Sequence, residues 1–121
     1  KYFLSCRVVL VTRDPRDQFV EIKKYKKASS VKGFIDWYKE MHRRLKQLNN
    51  ANLLHIRFED FVYKNDKMLD VLCNHISLAP SVFSNYQVDL SKKNIGKYKQ
   101  FLSQKELQII EHHLSEYIYV K

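Results

Sequence analysis

The sequence predicts an α/β domain in which two parallel strands are flanked by helices. Two short apolar segments, 8–11 and 53–58, are each followed by charged residues and then by helical periodicity. About forty residues lie between them, which is enough for a crossover between parallel strands. With 121 residues, the chain is expected to form a single α/β domain over 1–121, or part of one.

The first strand is predicted over about Ser5 to Thr12. Its centre has four successive apolar residues, VVLV, which suit a strand covered on both faces. The charged turn TRDPRD follows. Within it, Asp14 is expected to be the N-cap of a helix, with Pro15 as the first helical residue and Asp17 completing a capping box.

Two helices are predicted before the second strand. The first runs from Pro15 toward Lys26. The second is capped by Ser29 or Ser30, and Trp37 is expected in the core beside its apolar stripe. The stripe follows three- and four-residue steps and consists of Val31, Phe34, Tyr38, Met41, Leu45 and Leu48.

The second half of the chain begins with a strand predicted over Leu53 to Phe58. A helix capped by Asn65 is expected to run to Ile76, and 79–90 is expected to be irregular. The last helix begins after Ser103, where the sequence SQKE forms a complete capping box.

The chain carries a net charge of +9, and most of it lies in the first half. Residues 1–52 hold 13 Lys and Arg against 5 Asp and Glu, whereas 53–121 are nearly balanced. Such a surface fits a nucleic acid, an acidic membrane face, or a sulfated or phosphorylated ligand, or it serves solubility alone. No zinc-finger, homeodomain or RNP-like pattern accompanies it, which argues against a nucleic-acid partner.

The lengths of the apolar runs and the positions of the cysteines argue against a membrane-spanning protein and against a metal-binding protein. The apolar runs are far below the roughly 20 residues that span a bilayer, so no transmembrane segment is predicted. Cys6 and Cys73 lie in apolar contexts without CxxC or metal-ligand spacing, so two buried free thiols and no metal site are expected. Free thiols favour a reducing compartment, and a cytoplasmic location is therefore predicted.

Charged residues collect where ligands of α/β proteins bind. Arg13 follows the first strand, and Arg57, Glu59 and Asp60 follow the second at the same carboxyl edge of the predicted sheet. The segment Ser91–Lys99 contains four lysines and one glycine without an acid. A basic segment of this kind can fold over a phosphate group.

The turn RDPRD after an apolar strand resembles the 3′-phosphate-binding segment of sulfotransferases that use PAPS (3′-phosphoadenosine 5′-phosphosulfate). Two later stretches are similar to the same family in the same order. Leu53–Leu78 has its strand, then Arg, aromatic, Glu, Asp and a helix, and Asn94–Leu114 has its Gly-x-aromatic-Lys loop and closing helix. The three stretches lie between Arg13 and Leu114, and the resemblance implies part of a three-layer, P-loop-like sulfotransferase fold.

The resemblance also implies a donor site. Arg13 and the segment with Lys92, Lys93, Gly96 and Lys99 would bind the 3′-phosphate of PAPS. A sulfuryl group would pass to a hydroxyl or amine of a carbohydrate, lipid, peptide or small-molecule acceptor. The family's P-loop-like segment and catalytic base precede the RDPRD strand and have no counterpart in this sequence, so this chain is not expected to be active alone.

One position departs from the family pattern. The family has a serine eight residues after the arginine, where this sequence has Glu21. A carboxylate would repel the phosphate, so the helix is rotated, the site is altered, or Glu21 pairs with Arg13 or Arg16 in the empty protein. By the same resemblance Phe58 is a candidate for adenine contact and Glu59 for a structural ion pair; the alternatives are a buried aromatic and a helix-capping acid.

Two other functions fit the sequence. A non-catalytic basic α/β module would dock on an acidic polymer or membrane surface, and its binding would be salt-sensitive and indifferent to a 3′-phosphate. Another nucleotide phosphoryl-transfer enzyme, such as a nucleotide kinase, would require a GxxxxGK[ST] loop upstream.

Overall fold

The chain is α/β, with a two-stranded parallel sheet and flanking helices, in a computed structural model that describes residues 6–25, 30–48 and 51–121. Strands β1 (Val8–Thr12) and β2 (Leu53–Arg57) pair in parallel, with the first residues of both strands opposite each other. The predicted class and the parallel pairing are confirmed. The predicted strand start at Ser5 lies outside the described residues.

Helices follow both strands. Two helices lie between β1 and β2, and the others follow β2. Short 3-10 turns cover Pro80–Phe83 and Ser115–Tyr117. The helices are α1 (Pro15–Tyr25), α2 (Val31–Gln47), α3 (Phe58–Tyr63), α4 (Asn65–Ile76), α5 (Val88–Lys92), α6 (Tyr98–Phe101) and α7 (Gln104–His113).

The main core lies among α1, α2 and α7. Ring packing within it is close, since the centroids of Phe19 and Phe34 are 5.0 Å apart. Burial of each large apolar side chain contributes roughly 1.5–3 kcal/mol to folding. The buried members of the cluster are Phe19, Val20, Phe34, Ile35, Tyr38, Leu102, Ile110 and Leu114.

The apolar stripe of α2 is only partly buried. Ser30 accepts the backbone N–H of Gly33 at 3.0 Å and is the N-cap, whereas Ser29 and the predicted end of α1 at Lys26 lie outside the described residues. The expected burial of Trp37 is wrong: its side chain is 47% exposed, because it lies at the edge of the stripe.

Helix α7 is tied to α1 by its capping box. Ser103 accepts the backbone N–H of Glu106, and the Glu106 carboxylate accepts the backbone N–H of Ser103, as predicted. The same carboxylate pairs with Lys23 of α1 at 2.8 Å. One acidic side chain therefore caps α7 and also joins the two helices.

Three local expectations are wrong. Asn65 is the first residue of α4 rather than its N-cap. Its side-chain amide donates to the Phe61 carbonyl of α3 and therefore does not cap α4. The stretch 79–90 contains a 3-10 turn and the start of α5. Cys73 is a buried free thiol, but Cys6 is exposed because it precedes β1.

Two absences hold for the part of the chain that the structure describes. No helix there is both long and apolar enough to cross a bilayer. No three His, Cys, Asp or Glu side chains are grouped there in a way that would hold a metal ion.

Candidate functional site

The turn between β1 and α1 is built around the buried carboxylate of Asp14. Its Oδ1 accepts the backbone N–H of Arg16 at 2.8 Å, so Asp14 is the N-cap that the sequence predicts. The Arg16 guanidinium donates to both oxygens of the same carboxylate. Burial lowers the pKa of Arg16, but the hydrogen bond and charge of Asp14 raise it above its ordinary value. Arg16 therefore stays charged, and its bonds to Asp14 fix the start of α1.

The ends of the two strands are joined by Glu59. Its Oε2 accepts the backbone N–H of Asp14 at 3.1 Å, and its Oε1 lies 3.6 Å from Nη2 of Arg57. The predicted ion pair of Glu59 is thus formed with Arg57. Burial raises the pKa of Glu59, although the Asp14 N–H and the Arg57 charge both act to lower it.

Asp17 binds the basic segment instead of capping its own helix. Its carboxylate is 1% exposed and accepts the backbone N–H groups of Gly96 at 2.8 Å and Tyr98 at 3.0 Å. The predicted capping box is therefore wrong, because the Asp14 N–H that it requires donates to Glu59. As a result, these two backbone N–H groups of the segment contact a protein carboxylate rather than being open to a phosphate.

Gly96 occupies a backbone conformation that favours glycine. Its φ is +86°, in the left-handed region that side chains with a Cβ rarely adopt. A Cβ added there would meet no atom within 4 Å. The need for glycine at this position therefore comes from the backbone and not from crowding.

Arg13 reaches the same basic segment. It is half-buried, its Nη2 donates to the main-chain carbonyl of Asn94, and its guanidinium lies 5.3 Å from the centre of the Phe58 ring. The main-chain carbonyl of Arg13 accepts the Tyr38 hydroxyl at 2.6 Å. The Nε of Arg13 is buried without a hydrogen-bond partner among the described residues. The structure thus brings together Arg13 and the segment that the sequence singled out 81 positions later.

The lysines of the segment differ in their surroundings. Lys92 ends α5, is exposed, and lies 3.6 Å from the exposed carboxylate of Asp89. Lys93 and Lys99 are exposed and have no ion-pair partner in the described ranges. The segment is also more ordered than a basic loop would be, because it begins in α5 and ends in α6.

Glu21 pairs with a lysine of this segment. Its Oε1 lies 3.9 Å from the Nζ of Lys97, and both side chains are about 70% buried. Arg16 pairs with Asp14 and Glu111, and Arg13 with Asn94, so the proposed pairing of Glu21 with either arginine is not found.

A cavity of about 250 Å³ lies beside the turn, and Gly96 and Lys99 line it. Its charged lining is balanced, and the three carboxylates are buried while Lys99 is exposed. The balance is between Arg16, Lys99 and Lys121 on one side and Asp14, Asp17 and Glu59 on the other.

Tyr119 is a residue of this cavity that the sequence pattern does not indicate. Its backbone N–H donates to Asp14 and its hydroxyl to Asp60, at 2.9 and 2.8 Å. Burial and the Asp60 hydrogen bond raise the pKa of Tyr119 to about 12. It follows the last helix without periodicity, so no local signal marks it.

A larger groove, of about 580 Å³, lies between α1 and α2. Three of its eight lining residues are aromatic, including the exposed Trp37 and Tyr25. Glu21 also lines it, so the carboxylate that pairs with Lys97 connects the groove to the basic segment.

The comparisons with known proteins are negative: no family model, curated protein or solved structure matches the chain. A function for this chain is therefore argued from its own residues.

Proposed function

We propose that the chain forms the 3′-phosphate-binding part of the donor site in a PAPS-dependent sulfotransferase with a P-loop-like α/β fold. The observation that carries the proposal is the contact between Arg13 and Asn94. It joins the RDPRD turn to the basic segment, and these are two of the three stretches that resemble the family. The proposal assigns only this end of the donor to the chain.

Arg13 has the donors that a phosphate requires. A guanidinium has five N–H donors and can hold two phosphate oxygens at once, and among the described residues that of Arg13 donates only through Nη2, to the Asn94 carbonyl. Lys92 and Lys93 directly precede Asn94 in the sequence. Both side chains are exposed, so they add positive charge without a fixed geometry. In this proposal Arg13 positions the phosphate and the two lysines raise its local concentration.

The ion pair between Glu21 and Lys97 reduces the repulsion that the Glu21 carboxylate would exert on a phosphate near α1. A free carboxylate at the position of the family's serine would repel the phosphate. The Lys97 ammonium at 3.9 Å offsets that charge. Glu21 then acts by orienting Lys97, rather than by touching the donor.

The aromatic groove between α1 and α2 suits the adenine of the donor. Its volume, about 580 Å³, lies within the roughly 300–1,000 Å³ of small-molecule sites. The exposed ring of Trp37 offers a flat apolar surface on which a base can stack. Trp37 therefore replaces Phe58 as our candidate for adenine contact, because the Arg13 guanidinium already lies beside the Phe58 ring.

In the transfer itself these residues act through binding. An oxygen or nitrogen of the acceptor attacks the sulfur, the bond from sulfur to the 5′-phosphate oxygen breaks, and 3′-phosphoadenosine 5′-phosphate leaves. Holding the 3′-phosphate and adenine fixes the donor so that the attack is in line. The acceptor proton passes to a base that the proposal does not assign to this chain.

The test is isothermal titration calorimetry on the full-length protein, with 3′-phosphoadenosine 5′-phosphate and 5′-AMP as ligands. We expect a preference for the bisphosphate of at least tenfold, which is about 1.4 kcal/mol. The preference should disappear in Arg13→Ala and remain in Arg7→Ala, which removes one exposed positive charge before β1. Trp37→Ala should weaken both nucleotides equally.

Equal and weak binding of both nucleotides would overturn the proposal. If that binding also fell steeply with salt, it would favour the second candidate, a basic module that docks on an acidic polymer. The observation that favours this candidate is that the side chains of Lys93 and Lys99 are exposed and form no ion pair with any residue that the structure describes.

A further inference from the structure

A separate cavity of about 210 Å³ lies where α2 covers the sheet. Its polar lining comes from both strands, from α2 and from the turn after α7, and the donor site proposed above uses none of these side chains. The polar residues are Thr12, His42, His55, Arg57 and Glu116. The volume is about seven times the roughly 30 Å³ that one water occupies in the liquid.

Three of these side chains lie on the same face of the sheet. Thr12, His55 and Arg57 are on that face because side chains alternate along a strand and the register places Thr12 opposite Arg57. The Thr12 hydroxyl and the His55 Nε2 are 2.7 Å apart. The Arg57 guanidinium donates through Nη2 to the Tyr117 carbonyl, and it has five N–H donors in all.

His42 lies on the helix that covers this face. Its side chain is buried against two aromatic rings, with centroid distances of 4.6 Å to Tyr38 and 4.2 Å to Tyr117. Its Nε2 has no hydrogen-bond partner among the described residues. Burial lowers the pKa of His42, and the charges of His55 and Arg57 lower it further.

The charges around His42 come from every side of the cavity. His55 and Arg57 on β2 and Lys46 on α2 disfavour its protonation, whereas Glu116 in the turn after α7 favours it. Glu116 is exposed. Arg57 and two histidines thus line the cavity together with one exposed carboxylate, and the Arg57 guanidinium also lies 3.6 Å from the buried carboxylate of Glu59.

We propose that this cavity binds a small tetrahedral oxyanion, sulfate or phosphate, either free or as the terminal group of an ester. Arg57, His55 and Thr12 approach it from the sheet, and His42 provides positive charge from the helix when protonated. Donors on two opposing sides suit a tetrahedral anion better than a planar carboxylate. The site shares no anion-binding side chain with the proposed donor site.

Proton linkage follows from this arrangement. An anion in the cavity favours the charged form of His42, so binding takes up a proton and strengthens as pH falls. Sulfate is the suitable probe because its own charge does not change near neutral pH, whereas the second pKa of phosphate is about 6.

The experiment is a titration of the chain with sodium sulfate at pH 5.5 and 7.5, at constant ionic strength with sodium chloride. The ¹H–¹³C NMR signals of the histidine rings report the site directly. We expect saturable shifts of His42 and His55, and roughly tenfold tighter binding at the lower pH. Methyl sulfate is the ester probe, and its binding would indicate a terminal group as the natural ligand.

Variants separate the site from its surroundings. Arg57→Gln should weaken sulfate about tenfold or more. His42→Phe keeps a ring packed against Tyr38 and Tyr117 and should reduce the pH dependence. Glu116→Gln removes an exposed negative charge and should tighten binding several-fold without affecting the fold.

Three results would overturn the proposal. The first is linear, chloride-like shifts of the His42 and His55 signals. The second is unchanged affinity in Glu116→Gln. The third is loss of the sulfate effect in Arg13→Ala, which would place the anion at the proposed donor site instead.

Discussion

The carboxylate of Asp17 accepts the backbone N–H of Gly96 at 2.8 Å, across a separation of 79 residues. A second bond, from the Tyr98 N–H, uses the other carboxylate oxygen. Because Asp17 is almost fully buried, water does not compete for either oxygen. A single side chain of α1 therefore holds two backbone N–H groups of the basic segment.

Replacing Asp17 by Asn should destabilise the protein. The amide keeps one acceptor but turns an NH₂ group toward a backbone N–H, so one buried donor loses its partner. We expect the free energy of unfolding to fall by about 1–3 kcal/mol in urea denaturation. Asp36→Asn, at an exposed position of α2, is the matched control and should change little. Equal stability of the two variants would contradict the role given to Asp17.

Substitutions of Gly96 should follow backbone preference rather than size. Gly96→Ala should cost about 1–2 kcal/mol, because its φ of +86° places an L-residue in the left-handed region. Gly96→Asn should cost less although Asn is larger, because Asn tolerates this region. Thermal unfolding of both variants tests the order, and a smaller loss for Ala than for Asn would show that the conformation is not what requires glycine.

The stability of the protein should decrease on mild acidification because of His42. Its pKa is lower in the folded protein than the 6.5 of an exposed histidine. Between the two values the unfolded chain binds more protons, so the free energy of unfolding falls as pH drops below 6.5 toward the folded pKa. His42→Phe should flatten this part of the pH profile, measured by urea denaturation. His112→Phe, at an exposed position, should keep the wild-type slope.

Loss of the α7 N-cap should lower the stability of the protein and loosen the first turn of the helix. Ser103→Ala removes the acceptor for the Glu106 N–H and should cost about 1 kcal/mol. Ser103→Asp keeps an acceptor and should recover most of the loss. Urea denaturation measures both, and hydrogen exchange at Glu106 locates the change. No difference between the Ala and Asp variants would contradict a capping role.

Some local features of the fold are predictable from the sequence, where residues close in the chain determine them. The N-cap at Asp14 and the capping box at Ser103 depend on residues within three positions, and both are found. The parallel strands follow from apolar runs and the length between them. The exposure of Trp37 could not be predicted in this way, because it depends on how far the neighbouring helix covers the apolar stripe of α2.

The candidate site was predictable only as a neighbourhood. The carboxyl edge of the sheet and the basic segment were both indicated, and Arg13 does contact that segment. The sequence did not indicate the partners of individual charged side chains. Glu21 binds Lys97 and Asp17 binds Gly96, and both partners are distant in sequence. Several carboxylates face several cations here, and sequence spacing does not choose between the pairings.

The bond from the Tyr119 N–H to Asp14 spans 105 residues and has a consequence for the order of events during synthesis. Asp14 and Asp17 leave the ribosome long before Tyr119 and Gly96, the residues that donate to them. Until those residues arrive, both carboxylates remain hydrated and α1 lacks its long-range anchors. Contacts of such high sequence separation form slowly, so we expect the strand-end turn to be among the last parts of the protein to mature.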